Sequence, residues 1–160
     1  MNLVINSAVF EDYDTLNVIV KEGQDEHADA LPNIFNKVRI VMPKSYFKEL
    51  LEDSNTEILV ARENEKVVGF AVMELKESPP FDSVVPRKYA YMSDFGVKGS
   101  HQKRGIGKDL FDACVNWSKN QGASSLELNV WEFNQKAISF YSKNGMKSIS
   151  RKMTLLIDDR

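Results

Sequence analysis

Apolar positions along the chain change their period several times, and each change marks an element. Leu3, Val4 and Ile5 form a short β-type run. From Asp12 onward the spacing becomes helical: Leu16, Ile19 and Val20 fall on one side of a helix that Asp12 or Asp14 could cap. Residues 25–37 are mixed, and Pro32 cannot continue a helix because it lacks the N–H and crowds the preceding turn. Pro43 and Ser45 open a second helix carrying Tyr46, Phe47, Leu50 and Leu51. Two β-prone runs, 58–61 and 67–72, flank the polar stretch 62–66, which is a hairpin pattern. Residues 78–87 contain Pro79, Pro80 and Pro86 and read as a loop; 88–97, with Tyr89, Tyr91, Phe95 and Val97, reads as a strand.

The second half alternates more regularly. Ile106, Leu110, Cys114 and Trp117 make one apolar stripe of a helix over 105–121, which Gly122 ends. Residues 126–130 alternate apolar and polar and predict a strand. A further helix over 134–143 carries Ala137, Ile138 and Tyr141 on one face and stops at Gly145; Ile149 and 153–157 predict a closing pair of strands. Helices alternating with strands late in the chain predict a layered α/β sheet, and the early hairpin makes that sheet mixed.

Composition narrows the function. The chain has 160 residues, enough for a single domain over residues 1–160 with its own core. A net charge of -2 argues against general nucleic-acid binding. One cysteine excludes an internal disulfide, and His27 and His101 are too few and too far apart for a zinc site, so no metal is expected. No apolar run is long enough to span a membrane, and residues 1–10 lack the basic-then-apolar pattern of a secretory leader; a cytoplasmic location is expected.

The chemistry-bearing stretch runs from Val97 to Lys108. A strand ends, a glycine-bearing loop follows, and a helix begins. The first N–H groups of a helix have no intrahelical partner and carry partial positive charge, and glycine lets a phosphate come close to them. Lys98, Lys103, Arg104 and Lys108 add four positive charges with no acid between them. The Walker pattern fails, since Asp109 stands where Ser or Thr is needed, and the dinucleotide fingerprint fails at Leu110. Gln-x-x-Gly-x-Gly does fit, from Gln102 through Gly105 and Ile106 to Gly107.

That motif resembles the pyrophosphate-binding turn of GNAT-superfamily N-acetyltransferases. The likeness extends to Ser93-Asp94-Phe95-Gly96-Val97 before the turn, and after it to Leu128, Val130, Asn134, Ala137, Phe140-Tyr141 and Gly145-Met146. Met146 stands where the family usually has Phe. The resemblance implies a mixed, twisted sheet flanked by helices, in which two parallel strands splay apart and acetyl-CoA enters between them. It implies donor-binding roles for Phe95, Val97, Gln102, Lys103, Arg104, Gly105, Ile106, Gly107, Lys108, Asn134 and Tyr141. It also implies direct acetyl transfer to an amine, with Asp94 as base, backbone N–H groups near 95–97 facing the oxyanion, and Tyr141 protonating the departing thiolate. A base is needed: holding a lysine-like amine neutral at pH 7 costs about 4.6 kcal/mol.

Asn134 has a second reading as a helix N-cap, and Cys114 reads as plain core. Seven acids between Glu11 and Asp29 could attract a cationic acceptor, although such a run is more often a solvated helix face. The competing functions are a non-catalytic acyl-CoA-binding module and a nucleotide-phosphate binder. Edge strands near the C-terminus would leave a homodimer open.

Overall fold

The computed structural model describes residues 2–159. It contains two compact units, Met1–Asn129 and Val130–Arg160.

The first unit is built on a five-stranded sheet in the order β1-β2-β3-β4-β5. Its strands are β1 (Leu3–Ser7), β2 (Thr56–Glu63), β3 (Lys66–Glu77), β4 (Lys88–Val97) and β5 (Leu126–Glu127). The first four pair antiparallel, and β4 with β5 is parallel. Helices α1 (Tyr13–Ala30), α2 (Lys44–Glu52) and α3 (Ile106–Asn120) complete the unit. The β2–β3 hairpin closes through Asn64 and Glu65, both with positive φ (51° and 72°), the turn whose twist matches the flanking strands.

Strand alternation sorts the core onto two faces. Ile58, Val60, Phe70 and Val72 pack with Leu16, Ile19 and Val20 of α1 and with Phe47 and Leu50 of α2. Ala61 and Val68 pack with Ile106 of α3, joined by Leu3, Ile5 and Val97. Val68 is an extra residue between the pairs Ala61–Gly69 and Arg62–Val67. That bulge flips the alternation of β3, which is why Val67 shares a face with Phe70 and Val72 while Val68, two residues before Phe70, faces α3.

A second bulge matters more. Val72 pairs with Asp94 and Met73 with Met92, so Ser93 is the extra residue. Just before it, the parallel ladder to β5 covers only Ala90–Leu126 and Tyr91–Glu127. The strand expected over 126–130 is therefore two residues long, because the ladder stops where β4 bulges. The sheet opens along β4 from Met92 onward, as a splayed parallel pair requires.

Local signals explain most boundaries. Helix α1 ends at Ala30, with Leu31 as its cap directly before Pro32, and is longer than the mixed pattern of 25–37 suggests. Helix α3 starts from Gly105 at φ 85° and stops before Gly122 at φ 79°. Asp12 does not cap α1 with its side chain. Its carboxylate accepts two bonds of 2.7 Å from the Arg62 guanidinium and one from the Val9 N–H. Chiefly through the Arg62 bonds, which outweigh its burial, Asp12 is held below the usual carboxylate range. On α3, Cys114 is fully buried and its thiol is pushed up to about 12 by desolvation, while Trp117 is only half-buried and Ser118 takes the inward place.

In the second unit, α4 (Gln135–Lys143) is capped by Asn134, whose Oδ1 accepts from the Ala137 N–H at 3.1 Å. It ends at Gly145, φ 94°. The closing strands expected at 149 and 153–157 are absent among the described residues; Ile149, Met153 and Leu155 are exposed and form no ladder. The C-terminal edge strands on which chain-to-chain pairing would rest are absent with them.

Candidate active site

Asp94 and the turn after β4 lie where the sheet opens. Asp94 faces the α1 side, opposite Val72, and is half-buried. Desolvation raises its carboxyl from the ordinary 3.8 to about 6, against the lowering effects of the Phe95 N–H at 3.0 Å and of the His27 charge. A carboxyl poised near 6 is mostly ionised at pH 7 yet basic enough to accept a proton.

His27 was not singled out from sequence, although it lies seven residues beyond Val20 on the inward stripe of α1. Its Nδ1 sits 2.7 Å from the Gly23 carbonyl. A carbonyl only accepts, so Nδ1 carries the hydrogen of that contact. The ring stands edge-on to Phe35, centroids 5.5 Å apart. Gly96, opposite Phe70, lets α1 lie close over β4: a Cβ there would come within 3.1 Å of the Phe70 ring and 3.4 Å of Ile19.

The turn is more heavily tied than its sequence suggests. Gln102 Nε2 donates to the Val97 carbonyl at 3.0 Å, which draws the turn back onto the end of β4. Lys103 adopts φ 61°, a left-handed conformation costly for a lysine. Arg104 donates to Glu63 at 2.9 Å, Lys108 pairs with Asp112 at 2.8 Å, and the Gly99 N–H donates to Glu22 at 2.9 Å. Two of the four cations, Arg104 and Lys108, thus have acids near them in space. The Lys108–Asp112 pair is exposed on both sides, a kind of contact worth little and readily exchanged. Acids of the 11–29 segment are similarly engaged: Asp12 with Arg62, Glu22 with Gly99, Asp25 with Lys21 and Asp29 with Lys37.

The start of α3 suits a phosphate. Its cap, Gly105, offers no side chain to the first N–H groups, and a Cβ at Gly105 would meet nothing within 4 Å. The first N–H groups of α3, at Ile106, Gly107 and Lys108, have no partner within the helix, the arrangement that receives anions at a helix N-terminus. A concavity of about 480 Å³ runs between Asp12, Glu63, Lys98 and His101; a larger one, about 580 Å³, lies under residues 77–88, away from Asp94. Among the described residues no group of three or more His, Cys, Asp or Glu is placed to hold a metal, and no helix is long and apolar enough to cross a membrane.

In the second unit, Asn134 is occupied as the α4 cap. Tyr141 is half-buried, its ring 5.5 Å from Phe140 at 71°.

Three comparisons bear on this geometry. The model of the acetyltransferase (GNAT) family matches residues 24–146. The uncharacterized N-acetyltransferase YhfO of Bacillus subtilis is 27% identical over 134 residues, 79% of this chain and 87% of that protein. A mutant of the BH1408 protein from Bacillus halodurans superposes with a TM-score of 0.93 at 26% identity, over 96% of this chain and 99% of its own. The aminoglycoside N-acetyltransferase AAC(6')-Iy, solved in complex with CoA, shares the fold at a TM-score of 0.75 and 14% identity, over 97% of this chain and 94% of its own.

Proposed function

The chain belongs to the GNAT acetyltransferase family and is an acetyltransferase, and on that premise we propose that it transfers acetyl from acetyl-CoA directly to a primary amine of a small molecule or peptide. The observation that carries the donor is the uncapped start of α3, where Gly105 at φ 85° opens the first N–H groups to a pyrophosphate. Lys103 and Lys108 supply mobile positive charge around it. The CoA bound in AAC(6')-Iy supports the same choice.

Asp94 acts as the base. Its carboxylate accepts the proton that the acceptor ammonium must lose. The Phe95 N–H, one of the amides assigned to the oxyanion, is held by Asp94 itself at 3.0 Å. Proton uptake by Asp94 weakens that hold, since a neutral carboxyl is a poorer acceptor, and releases the amide as negative charge builds on the acyl oxygen. Tyr141 protonates the leaving thiolate. Because a thiolate with pKa about 8.5 leaves readily, Tyr141→Phe is expected to lower kcat only about tenfold and to change the alkaline limb of its pH profile. Full kcat with an unchanged profile would remove Tyr141 from the acid role.

Thermal unfolding with acetyl-CoA, CoA, ATP and NAD in parallel tests the reading. At ligand about 100 times Kd the native state gains about 2.7 kcal/mol, or about 5–10 °C for a chain of this size. Acetyl-CoA and CoA are expected to give that shift, and ATP and NAD none. An ATP shift larger than that of acetyl-CoA would favour a nucleotide binder instead.

A further inference from the structure

Glu63, the last residue of β2, reaches the turn from a strand that carries none of the motif residues. It pairs with Leu3 on the sheet face that packs against α3, and its side chain is 14% exposed. Oε1 accepts from Arg104 Nη2 at 2.9 Å. Oε2 is buried with no hydrogen bond and stands 3.6 Å from His101 Nε2. His101 Nδ1 lies in turn 2.7 Å from Ser100 Oγ. One carboxylate thus spans residues 101 and 104, on either side of Lys103. That lysine holds a left-handed φ of 61°, which persists only where the surroundings enforce it. Two residues after it comes Gly105, from which the α3 N–H groups are presented.

We propose that Glu63 is a positioning residue for the donor turn: by gripping Arg104 and facing His101 it holds the strained Lys103–Gly105 backbone in the arrangement that offers the α3 amides to the pyrophosphate of acetyl-CoA. This rests on the donor reading above. Arg104 then serves the turn's shape through Glu63, and direct charge on the donor falls to Lys103 and Lys108. Glu63 and Arg104 are 41 residues apart, so no local motif joins them.

The test uses Glu63→Gln, Arg104→Gln and the double variant, with CoA as the probe. Titration calorimetry gives the Kd for CoA, and amide hydrogen exchange follows residues 98–107 in CoA-free protein. Each single change is expected to weaken CoA binding about tenfold and to speed exchange of the turn about as much, with the double variant no worse than the worse single. Multiplied losses in the double variant would mean that Arg104 meets the donor independently, and would overturn the inference. So would CoA binding in Glu63→Gln that is unchanged or tighter. If Glu63→Gln fails to fold, Arg104→Gln breaks the same pair from its exposed end: faster exchange of the turn without CoA supports positioning, and unchanged exchange overturns it. Wild-type protein that takes no CoA sinks the donor reading itself, whereas wild-type binding with an unaltered Glu63→Gln sinks only the role of Glu63.

Discussion

Asp94→Asn is expected to lower kcat/KM by about two to four orders of magnitude, the span of a lost general base. The asparagine keeps the shape of the carboxylate and can still accept from the Phe95 N–H, but it cannot take a proton. In the wild type, kcat/KM should fall as pH drops through about 6, where the raised carboxyl protonates. In the variant that acid limb should vanish from the small residual rate. Stability should move the opposite way. Because the folded pKa lies above the unfolded 3.8, the native state binds more protons between those values, and stability declines as pH rises through that window. Above about pH 6 the ionised Asp94 costs the fold up to ~3 kcal/mol. Asp94→Asn should therefore be more stable than wild type at pH 8, with the advantage shrinking toward pH 4. Urea unfolding at both pH values, beside initial rates, checks both halves. A variant with normal kcat/KM across pH removes Asp94 from the mechanism.

Phe70→Ala should cost about 3–5 kcal/mol, the range for a large aromatic removed from a packed core. Phe70 is 1% exposed and sits between α1 and the middle of the sheet. The site collapses poorly: Gly96, its cross-strand partner, has no side chain to move in, and the stiff, branched Ile19 packs beside it. For a chain of this length the loss corresponds to a Tm lower by about 6–20 °C. A loss under about 1 kcal/mol by urea titration would mean that α1 settles onto the sheet and fills the space. Because Gly96 and Asp94 share a strand, the same cavity should also impair catalysis in whatever protein remains folded.

What sequence reasoning could see depended on the range of the interaction involved. Strand β4 was bounded correctly at Lys88 and Val97 because prolines precede it and the glycine turn follows. Helix α3 was found because its stripe and its glycines are local. The shortened β5 was invisible, since its length is set by the extra Ser93 in a neighbouring strand, and nothing in 126–130 encodes a bulge elsewhere. The missing C-terminal strands fail in the same way: alternation predicts extended chain, and only a partner makes it a ladder. Asp12 looked like a cap because Asp is a favoured cap, but Arg62, 50 residues away, claimed it. At the site, the motif supplied the turn and Asp94. It supplied neither Glu22 nor Glu63, which meet the turn across 77 and 41 residues, nor His27, whose charge acts on Asp94 only because α1 lies over β4.

The burial of Cys114 has a practical bearing on how the enzyme can be followed. Acetyl transfer from a thioester liberates one thiol per turnover, and the chain has a single thiol of its own. That group is fully enclosed, with a pKa near 12, so in folded protein it is neither reachable nor ionised for a disulfide reagent. A colorimetric thiol assay should therefore read product with no contribution from native enzyme. The same reagent added during denaturation should register one equivalent per chain, so that a single chemistry counts turnovers and, separately, unfolded molecules.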